Sequence, residues 1–255
     1  MSISQKIRKK FAEFRQADRK SLWVVEQWQW RLFALRHRKP ARLNVVFDRE
    51  HGIETAEEVL LENVGVSGIE AERGNGIYRP LTESLFRESI ASIDLDVSKY
   101  TFVDIGSGKG KVLFMAADLP FKRIVGVEYA AGLHEVAVRN IAAYRSKSQK
   151  CRTIEAVHAD ALAYALPQGP LLLFIFNALA PEPMRELLKK VDLEAAAQPD
   201  RPIVLIYTNL RTVAELGDVF SGLQNLQITR RMRRYVVLAN QAAGTLAGDG
   251  QSRSS

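Results

Sequence analysis

The stretch Phe102-Val103-Asp104-Ile105-Gly106-Ser107-Gly108-Lys109-Gly110-Lys111 decides the fold of this 255-residue chain. It predicts an apolar strand that ends in an acid, then a Gly-x-Gly-x-Gly turn and the start of a helix. Gly106 and Gly108 let the backbone turn sharply and approach a ligand, because neither carries a Cβ. Gly110 allows the helix to pack close to the strand. Open α/β sheets bind ligands beyond the carboxyl ends of their strands, so this turn predicts a ligand site.

Short apolar runs alternate with helical stretches on the carboxyl side of this turn. Strands are predicted at 101–105, 123–128, 153–158, 171–176, 202–207, 226–230 and 234–239. Helices are predicted at 111–118, 132–146, 183–197 and 212–220. The alternation indicates βαβ units, and the last two strands are close enough to form an antiparallel hairpin. The expected fold is α/β: a seven-stranded Rossmann-like sheet with helices on both faces, preceded by N-terminal helices.

Charge divides the chain into unequal parts. Residues 1–43 hold 12 Lys/Arg and 3 Asp/Glu, whereas the remaining residues hold 24 and 26. We therefore expect a basic helical arm at 1–43, a connecting segment at 44–69, the α/β domain at 70–240 and a disordered tail at 241–255. The single cysteine, Cys151, excludes an intrachain disulfide, and no apolar run approaches the roughly 20 residues that span a membrane. The expected location is the cytoplasm.

Two basic features have two interpretations each. The arm contains all three tryptophans, and it either packs as an ordinary helix or binds an anionic partner, which would be a membrane surface or a nucleic acid. If the arm packs as an ordinary helix, the protein is expected to be cytoplasmic. If the arm binds an anionic partner, the protein is also expected at a membrane surface or on a nucleic acid. Four arginines at 230, 231, 233 and 234 either protect a strand edge from pairing or bind an acidic substrate.

The glycine turn does not fit two common phosphate-binding motifs. A P-loop requires Gly-x-x-x-x-Gly-Lys followed by Ser or Thr. Val103 and Ile105 stand where the first glycine would be, and neither Lys109 nor Lys111 precedes Ser or Thr. The dinucleotide fingerprint Gly-x-Gly-x-x-Gly requires a small residue at the position of Lys111.

Acids after three successive strands favour S-adenosylmethionine as the ligand. Asp104 would lie near pyrophosphate in a dinucleotide site, whereas a sulfonium and an ammonium attract a carboxylate. Glu128 ends the next strand, where a carboxylate accepts both ribose hydroxyls. Asp160 follows the third strand and would accept from the adenine amino group, although Asp is also a favourable helix N-cap. The predicted cofactor-binding residues are Asp104, Gly106, Ser107, Gly108, Gly110, Glu128, Tyr129, Asp160 and Ala161.

From Tyr78 to about Leu210 the chain resembles the class I (Rossmann-type) S-adenosylmethionine-dependent methyltransferases. Within them it is similar to a bacterial group related to the non-SET histone lysine methyltransferases. Two segments carry this closer likeness: Tyr78-Arg79-Pro80-Leu81-Thr82-Glu83-Ser84 and Phe176-Asn177-Ala178-Leu179-Ala180-Pro181-Glu182. The resemblance implies that Tyr78 covers the methionine part of the cofactor and that Asn177 lies beside the transferred methyl. These two are the predicted catalytic residues.

The resemblance also implies methyl transfer to a protein side-chain amine, lysine. Enzymes that methylate adenine or glutamine amino groups have Asn/Asp-Pro-Pro-aromatic where this chain has Asn177-Ala178-Leu179, which disfavours nucleobase methylation. The alternatives are a small-molecule or an RNA methyltransferase and, from another class, an inactive cofactor-binding interaction protein. The expected partner is thus a protein or small-molecule methyl acceptor. The histidines show no ligand spacing, so no metal is expected.

Overall fold

The computed structural model describes residues 41–66, 74, 76–208 and 219–244. The described residues from Asn44 onward belong to one compact unit. The predictions for the arm up to residue 40, for a helix over 212–218 and for a tail from 245 lie outside the described residues. No helix in the described ranges is long and apolar enough to cross a membrane.

A two-stranded ribbon precedes the main sheet. Its strands, β1 Val59–Leu60 and β2 Ile77–Tyr78, pair antiparallel. The main sheet has the order β5-β4-β3-β6-β7-β9-β8. Its strands are β3 Thr101–Ile105, β4 Arg123–Glu128, β5 Ile154–His158, β6 Leu171–Phe176, β7 Ile203–Thr208, β8 Gln227–Arg231 and β9 Tyr235–Ala239. The predicted seven-stranded sheet is confirmed, with strand ends shifted by at most one residue.

The first five strands of this sheet run parallel, and β9 and β8 close it as an antiparallel hairpin. All residues of β3 and β7 are buried, which is the pattern of strands that are covered on both faces. The chain passes from β3 outward to β5 and then returns to β6 on the other side of β3. The carboxyl edge of β3 and β6 is therefore a topological switch point, where sheets of this kind bind ligands.

The described residues form five α-helices beside the sheet: α1 at 41–51, α2 Glu83–Ala91, α3 Lys111–Ala117, α4 Ala131–Ala143 and α5 Pro181–Ala197. On one face Phe47 and Leu85 pack with Phe102 and Phe174. On the other face, α5 packs against the alternate strand residues. Helices thus cover both faces, as the alternating pattern predicts.

Helix α1 runs through residues 44–51, the first part of the predicted connecting segment. Asn44, Phe47 and Asp48 are buried at helical spacing. Two of these three side chains are polar, so the buried face does not read as an apolar stripe. The expected boundary between 43 and 44 consequently falls inside a helix.

Two helix and tail boundaries also differ from expectation. Helix α4 ends at Ala143 rather than 146, because Tyr144 has a non-helical ψ of 130°. Residues Gln241–Ala243 form a 3-10 turn, and the Asn240 side chain accepts from the Ala243 amide. Ordered structure therefore continues past residue 240, where the tail was expected to begin.

Candidate active site

A cleft of about 310 Å³ opens at the carboxyl edge of β3, β4, β5 and β6. Ten of the eleven predicted site residues line it: Tyr78, Asp104, Gly106, Ser107, Gly108, Glu128, Tyr129, Asp160, Ala161 and Asn177. Gly110 is the exception and does not line the cleft. It is the N-cap of α3 with φ of 88°, and an added Cβ would lie 3.3 Å from Phe114. Gly110 therefore serves the packing of the helix rather than contact with a ligand.

The glycine turn after β3 is packed tightly against two other segments. A Cβ on Gly106 would lie 2.2 Å from the Cβ of Ala178, and one on Gly108 would lie 2.3 Å from Cε2 of Tyr78. Both glycines also have positive φ, 72° and 54°. No other residue type satisfies both conditions, since a Cβ would clash and an L-residue would be strained.

The two acids at the ends of β3 and β4 are buried side by side. Asp104 is 2% exposed, and its Oδ2 has no hydrogen-bond partner among the described residues. Burial, and secondarily Glu128, raise the pKa of Asp104 well above its ordinary range. Burial also raises the pKa of Glu128, whereas the backbone amides that it accepts from lower it. A buried carboxylate oxygen without a partner is costly, so this end of the cleft favours a cationic ligand.

Glu128 is held in place by the backbone. Its Oε2 accepts from the Gly108 amide at 2.8 Å, and its Oε1 accepts from the Ala130 amide at 2.9 Å. Each carboxylate oxygen retains a further lone pair. The side chain is therefore fixed against the glycine turn and can still accept from hydroxyl groups in the cleft.

The segment after β5 forms the far wall of the cleft. Asp160 accepts from the Leu162 amide through Oδ1 at 2.9 Å and so caps the turn at 161–163, where no helix begins. The ammonium of Lys190, on α5, donates to the carbonyls of Leu162 at 2.7 Å and Tyr164 at 2.5 Å, with Ala161 at 3.4 Å. Lys190 thus holds the wall in place from the side of α5, a role that no sequence pattern indicated.

The ring of Tyr78 covers the glycine turn, whereas its hydroxyl forms a hydrogen bond outside the turn. The hydroxyl donates to the Thr55 carbonyl at 2.9 Å. Asp48 of α1 in turn accepts from the Thr55 hydroxyl and the Ala56 amide, both at 2.6 Å. Burial, aided by nearby acids, raises the pKa of Tyr78 well above 10.0, which keeps the hydroxyl protonated. The ring is therefore the part of Tyr78 that faces the cleft.

Asn177, at the end of β6, has the only positive φ among the described non-glycine residues, 47°. Its backbone amide donates to the Thr208 carbonyl at 3.1 Å. Leu179 forms an antiparallel bridge with Gly74. This segment is half-buried, and together with Tyr129 and Phe176 it forms the partly apolar end of the cleft.

Two lysines of the glycine motif are buried, which the sequence did not indicate. Lys111 lines the cleft, donates to Asn44 Oδ1 at 2.8 Å and lies 4.5 Å from the centre of the Phe47 ring. Burial lowers its pKa to about 8. The carbonyl of Lys109 accepts from Asn140 at 2.9 Å. Helices α1 and α4 thus hold the glycine motif from behind. In the described residues, His, Cys, Asp and Glu form no group of three or more that could hold a metal ion.

No family model and no curated protein matches the chain. Among solved structures it is similar to the mitomycin 7-O-methyltransferase MmcR, with 18% identity over 61% of this chain and 53% of that one, and a TM-score of 0.43. It is similar to a predicted N6-adenine-specific DNA methylase from Listeria monocytogenes, with 12% identity, coverage of 63% and 51%, and a TM-score of 0.46. An RNA methyltransferase from Salinibacter ruber gives 14% identity, coverage of 67% and 97%, and a TM-score of 0.40. The chain spans about half the length of the first two.

Proposed function

We propose that this chain is an S-adenosylmethionine-dependent methyltransferase and that it methylates a protein side-chain amine, lysine. One observation carries the cofactor part of the proposal. Asp104 Oδ2 is buried, has no hydrogen-bond partner in the part of the chain that the structure describes, and lies in a cleft beside a second buried acid. A cationic ligand would supply the missing partner and stabilise both carboxylates.

The residues in the cleft fit this cofactor. Asp104 would accept from its ammonium, Glu128 from its ribose hydroxyls, and the Asp160 segment would contact its adenine. The missing Cβ atoms of Gly106 and Gly108 make room for Ala178 and for the ring of Tyr78, which would cover the methionine end. S-adenosylmethionine, when bound, supplies an electrophilic methyl group on a sulfonium.

The end of the cleft near Asn177 suits an amine acceptor. Phe176, Tyr129, Leu179 and Pro183 line it together with Asn177. Apolar walls exclude water and lower the pKa of a lysine amine that enters, which favours the neutral, nucleophilic form. A dedicated strong base is then unnecessary, and the task of Asn177 is to orient the amine. This substrate also rests on the resemblance at residues 78–84 and 176–182.

Two other functions remain as alternatives. A small-molecule or RNA methyltransferase would use the same cofactor residues and differ only in the acceptor. An inactive protein would bind the cofactor and act through the basic arm. The anionic partner of the arm and the cytoplasmic location stay predictions.

The first experiment is calorimetric titration of the full chain with S-adenosylmethionine, beside Asp104→Asn. Removing the carboxylate that pairs with a cation should weaken binding by about 100-fold, equivalent to about 2.7 kcal/mol. Asp94→Asn is the matched control, because Asp94 is exposed. If the folded wild type does not bind, or if Asp104→Asn binds equally well, the cofactor assignment is wrong.

The acceptor is tested with radiolabelled methyl in a cell extract. We expect label in protein that survives nuclease treatment and is recovered as methyl-lysine after acid hydrolysis. Label in RNA or in the small-molecule fraction would support the enzymatic alternatives instead. Cofactor binding with no transfer to any fraction would support the inactive binding protein.

A further inference from the structure

The four arginines 230, 231, 233 and 234 form a cluster that we call the arginine hairpin. Arg230 and Arg231 end β8, and Arg233 and Arg234 lie in the turn before β9. None of the four pairs with a carboxylate among the described residues. The guanidinium of Arg231 lies 6.0 Å from the centre of the Phe220 ring. Arg231 and Arg233 are exposed.

The strand registers place this hairpin at the same edge of the sheet as the cleft. Phe176, at the end of β6, pairs with Thr208, and Thr208 pairs with Tyr235 at the start of β9. The turn at 232–234 immediately precedes Tyr235, so it lies level with Asn177. Three strand-to-strand steps separate β6 from β8, and at about 4.8 Å per step this is about 14 Å.

Protection of the sheet edge explains only part of the cluster. Edge strands use charged side chains and bulges to prevent pairing with other chains. Strand β8 has both, since its register shifts between Ile228 and Arg230. Arg233 and Arg234 lie in the turn, where no strand could pair, so edge protection gives no reason for them.

We propose that the arginine hairpin binds acidic side chains of the polypeptide acceptor, close to the lysine that is methylated. This rests on the proposed function and adds the class of substrate. The hairpin strands β9 and β8 lie two and three steps from β6, which is about 10 and 14 Å. An extended peptide covers about 3.3 Å per residue, so these separations correspond to about three or four residues. The preferred acceptor therefore carries Glu or Asp about three or four residues from the target lysine.

The surroundings of the hairpin favour a polypeptide over a nucleic acid. Single-stranded nucleic acids stack their bases on exposed aromatic rings. The aromatic residues beside the hairpin, Phe220 and Tyr235, are only 9% and 2% exposed. Met232, at the tip, is 41% exposed and offers an adaptable apolar contact to a peptide. Arginine also matches carboxylates through two parallel hydrogen bonds.

Direct binding is measured by fluorescence anisotropy with labelled poly-L-glutamate and the full chain at low salt. The test variant is Arg230→Gln/Arg233→Gln/Arg234→Gln, which keeps Arg231 because it packs over Phe220. The control variant is Lys122→Gln/Lys147→Gln/Arg152→Gln. These residues are exposed and precede β4 and β5, so they lie toward the amino ends of the parallel strands, whereas the cleft lies at the carboxyl ends. Both variants lose the same charge.

We expect the hairpin variant to bind poly-L-glutamate about tenfold more weakly and the control variant to bind within about twofold of wild type. Equal losses in the two variants would indicate a general charge effect and overturn the proposal. No loss of binding in either variant would also overturn the proposal. The same titration is made with labelled poly-uridylate. If the hairpin variant loses affinity for poly-uridylate but not for poly-L-glutamate, the partner is a nucleic acid and the proposal is wrong.

A second readout separates this inference from the proposed function. Peptides with one lysine and a Glu pair three and four residues away are compared with their Gln counterparts. The hairpin variant should raise KM for the Glu peptide about tenfold while kcat and cofactor affinity stay unchanged. If the wild type methylates lysine with no preference for Glu, only the hairpin proposal fails. If it binds no cofactor, the proposed function fails, whatever the poly-L-glutamate result.

Discussion

Two loops at the carboxyl ends of the neighbouring strands β3 and β6 meet in the cleft and are built differently. The loop at 106–110 reaches positive φ three times, each time at a glycine, and four of its five residues are buried. The loop at 177–180 reaches positive φ once, at an asparagine, and all four residues are half-buried. The loops touch where Ala178 approaches Gly106.

The difference matches what each loop is proposed to bind. The glycine turn is held by Asn140, Glu128 and Tyr78, which suits a cofactor that never varies. The Asn177 loop borders the proposed acceptor end, where the bound group differs between enzymes. Strain is retained at a non-glycine residue only when the surrounding structure holds it, and such positions concentrate at functional sites.

The largest effect is expected where the two loops touch. Gly106→Ala places a Cβ on Ala178 and forces alanine to φ of 72°. Overpacking costs about 1–3 kcal/mol and the left-handed backbone about 1–2, so the loss of unfolding free energy should be about 2–5 kcal/mol. Urea denaturation measures it, and cofactor binding should be lost as well.

Gly169→Ala is the matched control for that substitution. Gly169 has φ of 85° with nothing within 4 Å of an added Cβ, so it tests backbone strain without a clash. It should cost about 1–2 kcal/mol and leave cofactor binding intact. Equal losses of unfolding free energy in Gly106→Ala and Gly169→Ala would show that the contact between Gly106 and Ala178 contributes nothing to the cost of the substitution.

The second prediction concerns Lys111 and pH. Burial lowers its pKa from 10.5 to about 8, so between these values the folded protein binds fewer protons than the unfolded chain. The free energy of unfolding therefore rises with pH in this window, by at most about 3 kcal/mol. Lys111→Met should lack this rise, whereas the exposed Lys122→Met should retain it. Urea denaturation from pH 7 to 10 measures the difference, and parallel curves for Lys111→Met and wild type would contradict it.

The third prediction concerns the wall at 160–164. Lys190→Met removes a cation that donates to three carbonyls, at a cost of about 1–3 kcal/mol. Because the wall lines the cleft, we also expect cofactor affinity to fall about tenfold, measured by calorimetry. Lys189→Met, at the exposed neighbouring position, is the control. Unchanged affinity in Lys190→Met would show that the wall holds its position without this lysine.

The sequence predicted the glycine loop better than anything around it. Strands β3 and β4 and the turn between β3 and α3 were predicted to the residue, because buried parallel strands are continuous apolar runs and the turn requires glycine. Nine of the ten predicted site residues that line the cleft lie at or just after strand ends of the parallel sheet, which share one edge. The tenth, Tyr78, lies on the ribbon and was predicted from the resemblance. Their roles in binding stay predictions.

The supporting residues could not be predicted in this way. Asn44 and Asp48 are buried polar residues on α1, and their partners lie far along the chain or in a loop without periodic pattern. Lys190 looks like any lysine on an amphipathic helix, and its three carbonyl partners come from a turn 26–29 residues earlier. Such contacts depend on tertiary packing, which local periodicity does not encode.

The smallest effect separates the backbone of Asn177 from its side chain. At φ of 47°, Asn177→Gly should keep the unfolding free energy within about 0.5 kcal/mol of wild type, whereas Asn177→Ala should lose about 1 kcal/mol. If the side chain orients the acceptor amine, both variants should transfer methyl at least tenfold more slowly, with cofactor affinity unchanged. Restored stability without restored transfer in Asn177→Gly would assign the side chain to the acceptor. A wild-type rate of methyl transfer in Asn177→Gly would mean that transfer depends on the backbone turn at this position and not on the side chain. The loop at 177–180 would then resemble the loop at 106–110 in depending on backbone shape alone.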